Sequence, residues 1–274
     1  MAPKGTADFA TSIFALFMLA FALLAQADQA PGSGGRNASG KAENPYVVLV
    51  SIDGFSRDYM SIYPTPALDR IAASGIRAES LRPVFPSLTF PNHYSIATGL
   101  YPSEHGIVHN HFPDETRQNW YHLWDRESVE NGRWYGGEPI WVTAEKNGLV
   151  SAAYYFVGTE AAIQGVPPSH WHSFDASVPG DDRVAQVIDW LQWPEDRRPH
   201  LITLYFEHVD TAGHDFGRGS PQLAKAVAEV DAHVGRLLDA IAEQGLDDVV
   251  HVLVVSDHGQ ASYVNPEESF VLRD

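Results

Sequence analysis

The chain has 274 residues, no cysteine and a net charge of −17, from 18 Lys and Arg against 35 Asp and Glu. This acidic balance disfavours stable nucleic-acid binding, because a phosphate backbone requires a positive protein surface. The lack of cysteine excludes disulfides and thiolate metal ligands, so any metal site must use nitrogen and oxygen atoms. The length suits one large α/β domain, although two smaller domains would also fit.

The amino terminus has the pattern of a signal peptide. Lys4 precedes an apolar run over residues 13–24, and residues 25–27 have the small-x-small pattern of a cleavage site. We predict a signal peptide over residues 1–27 and a periplasmic or secreted protein. The apolar run is shorter than the roughly 20 residues that span a bilayer, so we expect no membrane attachment after cleavage. Residues 28–44 are rich in Gly, Ser, Ala and Asn, which predicts a flexible linker before a catalytic domain over residues 45–274.

Apolar runs alternate with helical patterns from residue 46 onward. Strands are predicted over residues 46–52, 150–156, 201–206 and 249–255, and helices over residues 66–74, 91–98, 139–146, 182–191 and 221–244. Thr65 is the predicted N-cap of the first of these helices. The alternation predicts an α/β fold with a mostly parallel sheet sandwiched by helices. The apolar residues of the segment 111–136 show neither helical spacing nor the alternation of a strand, so we interpret this segment as an insertion.

Carboxylate and imidazole side chains follow three of the predicted strands. Parallel strands end at the same edge of a sheet, so we expect these side chains to lie close together. Oxygen and nitrogen ligands of this kind predict a divalent metal site. The side chains are Asp53, Asp210, His214, Asp257 and His258.

Thr89 lies just before a predicted helix start at Pro91. Read alone, a Thr here is a helix cap, but the free N–H groups of a helix start also favour an anionic group. Two cations roughly 3.5 to 4 Å apart can clamp a phosphoryl displacement. A Thr hydroxyl is a poor nucleophile unless a metal activates it, so together with the ligand set Thr89 is a candidate nucleophile.

Six short motifs occur in the order typical of one enzyme family. They are Val50 to Phe55, Thr89 to His93, Gly99 to Pro102, His105 to Asn110, Asp210 to His214 and Ser256 to Gly259. Over residues 46–260 the chain resembles the nucleotide pyrophosphatase/phosphodiesterases of the alkaline phosphatase superfamily. The resemblance implies an alkaline-phosphatase-like core and metal-dependent hydrolysis of phosphodiester or pyrophosphate bonds through a phosphothreonine intermediate. The implied partner is a small-molecule nucleotide or another phosphodiester, and the oligomeric state stays open.

The resemblance also assigns roles to single residues. It implies two divalent metal ions, most simply Zn²⁺, although manganese or iron would suit the same ligands. By resemblance, Thr89 is the nucleophile and Asn110 contacts the phosphoryl oxygens. The implied first metal site is Asp53, Thr89, Asp257 and His258, and the second includes Asp210 and His214. Phe90 and Phe174 match positions that stack a nucleobase, and Tyr205 is expected to line the same pocket. His93 is expected to be a hydrogen-bonding residue rather than a ligand.

Three departures from the family pattern bear on activity. Leu88 replaces a Lys, residues 156–158 replace a Trp-Pro-Gly motif, and the third histidine ligand of the second metal is absent before Asp274. We therefore expect a C-terminally truncated homologue with an incomplete core, weak binding of the second metal and low activity. Two alternatives stay open, a phosphomonoesterase with the same two-metal core and an inactive metal-binding homologue. Phe90, with no Arg or Lys beside Thr89, favours a diester with an organic substituent.

Overall fold

A computed structural model of the protein describes residues 35–41 and 43–261. The predicted signal peptide over residues 1–27 and residues 262–274 lie outside the described ranges. The strands are β1 Tyr46–Ile52, β2 His111–Pro113, β3 Trp120–His122, β4 Ser151–Tyr154, β5 His170–Trp171, β6 Leu201–Phe206 and β7 Val250–Val255. The helices are α1 Tyr59–Ile62, α2 Pro66–Ser74, α3 Thr89–Thr98, α4 Pro102–His105, α5 Arg126–Val129, α6 Ile140–Lys146, α7 Gly180–Gln192, α8 His208–Phe216 and α9 Pro221–Glu243. None of the helices in the described ranges is long and apolar enough to cross a membrane.

The central sheet has five strands in the order β5-β4-β6-β1-β7, and every pairing in it is parallel. This confirms the predicted α/β fold with a parallel sheet. The register places Ser51 of β1 opposite both Tyr205 of β6 and Val255 of β7. The residues that follow these three strands therefore leave the sheet at the same level, which brings the predicted ligands to one edge.

Helices cover both faces of the sheet, as the apolar character of β1 requires. Val48, Val50 and Ile52 pack into one apolar cluster together with residues of α7 and α9, whereas Leu49 packs into a second cluster with residues of α3 and α6. Alternate side chains of one strand thus enter opposite layers. Helix α9 contributes the stripe expected from its periodicity, consisting of Leu223, Val227, Val230, Val234, Leu237 and Ile241.

The insertion over residues 111–136 contains an antiparallel hairpin, β2–β3, and two short helical segments. Tyr121 in β3 is fully buried, and its hydroxyl lies 2.8 Å from that of Tyr135. Ring contacts between Tyr121 and Phe112 add to this packing. Phe112, Tyr121, Trp134 and Tyr135 therefore form a small aromatic core under the hairpin, whereas Trp120 and Trp124 are exposed.

The described part of the predicted linker contacts the domain. The Asn37 side-chain amide donates to the carbonyl oxygens of Glu195 and Arg198, each at 2.8 Å, and its Oδ1 accepts from Val150 N–H at 2.8 Å. The flexible linker over residues 28–44 stays a prediction. Within its described part, Asn37 places its three side-chain hydrogen bonds on the folded domain.

The amino terminus of α2 differs from its prediction. The Thr65 side chain makes no capping hydrogen bond. Asp231 of α9 takes that role, because its two carboxylate oxygens accept from the N–H groups of Ala67 and Leu68 at 3.0 and 2.9 Å. Asp231 is 3% exposed. A helix distant in sequence thus caps α2.

Candidate active site

A cleft of about 630 Å³ opens at the carboxyl edge of the sheet. Its floor carries polar groups that follow β1 and β6 or begin α3, and aromatic side chains form its walls. Predicted site residues that line it are Asp53, Thr89, Phe90, Asn110, Phe174, Tyr205, Asp210 and His214. Asp257 and His258 lie beside this floor, and their contacts are given below.

Thr89 is the first residue of α3, two residues earlier than the predicted start at Pro91. The helix can begin there because Pro91 falls in the first turn, where a backbone N–H has no helical partner to lose. The Thr89 hydroxyl lies 3.4 Å from His258 Nε2. The next residue, Phe90, donates its N–H to Asn110 Oδ1 at 3.0 Å. This bond orients Asn110 and leaves its NH₂ group as a hydrogen-bond donor.

Asp53, Asp257 and His258 form a compact group of ligand atoms that lie within 4.8 Å of one another. Each carboxylate has one oxygen held by a donor. Asp53 Oδ2 accepts from the Tyr205 hydroxyl at 2.6 Å, and Asp257 Oδ1 accepts from Gly54 N–H at 3.2 Å. The other oxygens, Asp53 Oδ1 and Asp257 Oδ2, lie 3.5 and 3.1 Å from His258 Nε2.

This group fits a divalent cation. Within the described part of the chain, Asp53 Oδ1 is buried without a hydrogen-bond partner, whereas Asp257 Oδ2 lies 3.3 Å from His93 Nδ1. His258 Nδ1 lies 3.2 Å from the carbonyl oxygen of Gly259, which can only accept, so Nδ1 carries a proton and the neutral ring would present a lone pair at Nε2. In that form, a cation among Nε2 and the two carboxylate oxygens would balance their negative charge. The donor set of oxygen and nitrogen suits zinc, manganese or iron.

Buried charges dominate the electrostatics of this group. Burial, and next the neighbouring Asp257 carboxylate, raise the pKa of Asp53 well above its ordinary value. Burial alone would lower the pKa of His93, but its attraction to and hydrogen bond with Asp257 raise that pKa to about 9. Burial alone would raise the pKa of Asp257. The attraction and hydrogen bond of His93 outweigh the effect of burial, so the pKa of Asp257 is lowered. His93 also contacts Ser51 Oγ at 2.8 Å and the Thr89 carbonyl oxygen at 2.9 Å, so it ties β1 to α3.

Asp210 and His214 form a second pair on α8, one helical turn apart. Their contact, from Asp210 Oδ2 to His214 Nε2, measures 3.4 Å. Gly54 lies against this pair, since a Cβ atom there would come within 2.7 Å of Asp210 Oδ1. Asp210 also contributes to the raised pKa of Asp53, which reflects the proximity of the two carboxylates. The structure therefore brings the second pair next to the first group without merging the two.

Three predicted aromatic residues line the cleft. Phe90 packs edge-on against Tyr121 at 6.0 Å, and Phe174 packs edge-on against Tyr205 at 6.1 Å between ring centroids. The Tyr205 ring faces the cleft, but its hydroxyl is committed to Asp53. Tyr205 is thus a hydrogen-bond partner of a candidate metal ligand, a role that sequence reasoning did not assign.

Sequence reasoning also missed Arg183 of α7. Its guanidinium is fully buried and bonds to both carboxylate oxygens of Glu207, at 2.6 and 2.8 Å. It donates a further bond to the Tyr205 carbonyl oxygen at 3.0 Å. Arg183 therefore fixes the end of β6 below the cleft. An arginine in an amphipathic helix gives no sequence signal for such a role, because the polar face of a surface helix carries the same residue type.

The fold and this site define an α/β protein with carboxylate and imidazole side chains grouped at the carboxyl ends of parallel strands. The chain belongs to the type I phosphodiesterase / nucleotide pyrophosphatase family, whose model matches residues 47–274. This confirms the resemblance drawn from the motifs.

Several known proteins are similar to this chain. Human ectonucleotide pyrophosphatase/phosphodiesterase family member 1 is 40% identical over 219 residues, which cover 79% of this chain and 24% of that protein. Venom phosphodiesterase CdcPDE of Crotalus durissus collilineatus is 36% identical over 234 residues, covering 85% and 28%. A solved structure of mouse ectonucleotide pyrophosphatase/phosphodiesterase 5, an inactive threonine-to-alanine variant in complex with AMP, matches with a TM-score of 0.73 and 32% identity, covering 79% of this chain and 57% of that one. The chain spans about a quarter of the length of these curated relatives.

Proposed function

We propose that the protein hydrolyses phosphodiester or pyrophosphate bonds in nucleotides, with Thr89 as the nucleophile. The observation that carries this proposal is the position of the Thr89 hydroxyl. Thr89 is the first residue of α3, and its hydroxyl lies 3.4 Å from His258 Nε2, which in turn lies 3.5 Å from Asp53 Oδ1 and 3.1 Å from Asp257 Oδ2. The inactive threonine-to-alanine variant among the solved relatives supports the same role for a threonine.

Two divalent cations, zinc by family resemblance, would supply positive charge that favours the Thr89 alkoxide and stabilises charge on the phosphoryl group. We propose that Asp53, Thr89, Asp257 and His258 would hold one of them. Asp210 and His214 would contribute to holding the other. The orphaned Asp53 Oδ1, the close grouping of Asp53, Asp257 and His258, and the contact between Asp210 and His214 on α8 support this division.

The chain's own residues account for the two chemical steps. Thr89 Oγ1 gives up its proton to solvent and attacks phosphorus, a new O–P bond forms, and the bond to the leaving oxygen breaks with its electron pair. Water then attacks phosphorus, the Thr89 O–P bond breaks, a water proton returns to Thr89 Oγ1, and the monophosphate is released. The Asn110 NH₂ group, oriented by its bond to Phe90 N–H, would donate to a phosphoryl oxygen, and the amino end of α3 favours the same negative charge.

The walls of the cleft support a substrate with an organic substituent. Phe90 and Phe174 both line a cleft of about 630 Å³, which is in the size range of small-molecule sites. Flat aromatic faces can stack a nucleobase. A phosphomonoesterase would need no such walls, so a diester is the better candidate, and the relative in complex with AMP agrees with a nucleotide.

We also propose export of the protein to the periplasm or the medium. The pattern over residues 1–27 supports this, as do relatives named as ectonucleotide and venom enzymes.

The proposed function is tested with the nitrophenyl ester of thymidine monophosphate as a diester and nitrophenyl phosphate as a monoester. We expect faster hydrolysis of the diester, loss of activity with a chelator, and restoration by added zinc. Thr89→Ala should reduce turnover to the level of the uncatalysed control, while Thr116→Ala, on an exposed turn, should leave it unchanged. Full activity of Thr89→Ala, or activity that a chelator does not affect, would refute the proposal.

A further inference from the structure

Gln260 follows the Asp257–His258 motif and joins three separate segments. Its backbone N–H donates to Ser56 Oγ at 2.8 Å, and its carbonyl oxygen accepts from Arg218 at 2.7 Å. Its side chain reaches α1 and α8. Oε1 accepts from the Tyr59 hydroxyl at 3.1 Å, and Nε2 donates to the Asp210 carbonyl oxygen at 3.0 Å and to Asp210 Oδ1 at 3.1 Å.

The partners themselves determine the orientation of the Gln260 amide. Both Asp210 atoms can only accept hydrogen bonds, so the NH₂ group must face them. The amide oxygen then faces Tyr59, whose hydroxyl can donate. In the reverse orientation the amide oxygen would meet two further oxygens. The neutral NH₂ group of Gln260 is therefore the hydrogen-bond donor to Asp210 Oδ1.

Two glycines provide the space for this contact. A Cβ atom at Gly213 would lie 1.8 Å from Gln260 Oε1, and one at Gly54 would lie 2.7 Å from Asp210 Oδ1. A side chain at Gly213 would therefore displace the amide. The close approach of Gln260 to Asp210 depends on these two positions being glycine.

Hydrogen-bond donors also orient the other two carboxylates of the site. Tyr205 holds one oxygen of Asp53 and leaves the other to the ligand group, and Asp257 is held by Gly54 N–H at Oδ1 and contacted by His93 at Oδ2. Gln260 holds Oδ1 of Asp210, whose Oδ2 lies 3.4 Å from His214 Nε2. Such outer hydrogen bonds orient metal ligands, and their loss typically weakens metal binding about 10- to 100-fold.

We propose that Gln260 is a positioning residue for the Asp210–His214 half of the site. It fixes the rotation of the Asp210 carboxylate so that Oδ2 and His214 Nε2 present a matched pair of ligands. The role rests on the proposed two-metal function, and it assigns the second site a support that is separate from the residues around Thr89. The carboxylate of Asp210 would otherwise rotate about its side-chain bonds, since α8 alone holds it.

Calorimetric titration of the metal-free full chain with Zn²⁺ tests this role without measuring activity. Wild-type protein should show two binding events of different affinity. Gln260→Leu, which keeps similar bulk and removes the donor, should weaken the weaker event about tenfold and leave the stronger event within a factor of about two. Gly213→Ala, which displaces the amide and leaves Gln260 in place, should have the same effect. Gln192→Leu, at the exposed end of α7, is the matched control and should change neither event.

A double-mutant cycle shows whether the effect passes through Asp210. If it does, Gln260→Leu should add little when Asp210→Asn is already present, because coupled residues are not additive. Two wild-type events with unchanged affinities in Gln260→Leu and Gly213→Ala would overturn the role of Gln260 and leave the proposed function intact. The role is also overturned if the loss is the same in the Asp210→Asn background. A single wild-type event would instead refute the two-metal function together with this role.

Discussion

Mutation of the residues at the amino end of α2 tests whether Asp231 or Thr65 caps this helix. Asp231 on α9 satisfies the N–H groups of Ala67 and Leu68, and all three residues are buried. The sequence predicts Thr65 as the cap instead. Replacing each residue by alanine therefore separates the two assignments.

The expected loss of stability for Asp231→Ala follows from the two bonds. A hydrogen bond to a charged group contributes about 1.5–3 kcal/mol, and a typical single N-cap contributes about 1 kcal/mol. Both N–H groups lie in a buried helix end where water is a poor substitute. Taking the lower end for each bond, we expect Asp231→Ala to reduce the free energy of unfolding by about 3 kcal/mol. Asp231→Asn keeps one acceptor oxygen and should lose about half as much.

Thr65→Ala should behave differently. The Thr65 hydroxyl is buried and has no hydrogen-bond partner among the described residues, so its removal should change the free energy of unfolding by less than about 1 kcal/mol. Urea titration of the metal-free chain, followed by the fluorescence of its seven tryptophans, measures all three variants. Working without metal avoids the contribution of ligand binding to stability. A larger loss in Thr65→Ala than in Asp231→Ala would refute the reasoning.

Further predictions concern the site and its support. Tyr205→Phe removes the 2.6 Å bond to Asp53, so we expect zinc to bind about tenfold more weakly in a calorimetric titration, and an unchanged affinity would contradict this. Phe90→Ala and Phe174→Ala should raise KM for a nucleotide diester more than they lower kcat, and equal KM values in steady-state assays would exclude a stacking role. Burial lowers the pKa of His105 from 6.5 to about 4. Between these two pH values the unfolded chain binds a proton at His105 that the folded chain does not bind. Stability should therefore fall as the pH drops from about 6.5 to about 4, by up to about 3 kcal/mol from this residue, and urea titrations of a His105→Gln variant should show a shallower dependence.

The local reason for the His105 prediction is its hydrogen bonding. Nδ1 accepts from Ile107 N–H at 3.2 Å, and Nε2 lies 2.9 Å from Ser95 Oγ. A proton on Nδ1 would face a backbone N–H that can only donate. The neutral ring is therefore the form that the fold accommodates, which agrees with the direction of the pKa shift.

Much of the site framework could be predicted from the sequence because it depends on local patterns. The apolar runs of β1, β6 and β7 indicated parallel strands, and the first polar residues after them, such as Asp53 and Asp257, had to lie at one edge of the sheet. The apolar run of β7 also predicts a buried strand, but β7 is an edge strand of the described sheet and Leu253 is 47% exposed. The helix over residues 221–243 followed from its period and its Ser220 cap, whose Oγ accepts from Leu223 N–H. Motif order then indicated the family, which the match to its model confirms.

Other features could not be predicted, because they join residues distant in the chain. The Asp231 cap and the Gln260 bond to Asp210 each connect segments separated by 50 residues or more. Neither residue belongs to a period or a motif that would distinguish it. The hairpin over β2 and β3 escaped prediction for another reason, since its strands have three residues each and are held by aromatic packing rather than by alternation.

The sequence by itself determined the layered fold, the edge of the sheet at which the candidate site forms and the chemical types of the candidate ligands. These depend on the hydrophobic period and on chain direction, which can be read from consecutive residues. Only the tertiary structure decided which oxygen of each carboxylate is held by which hydrogen-bond donor. That choice depends on hydrogen-bond donors from Tyr205, Gly54 and Gln260, and the position of a donor in space is a property of the packed fold rather than of any local segment.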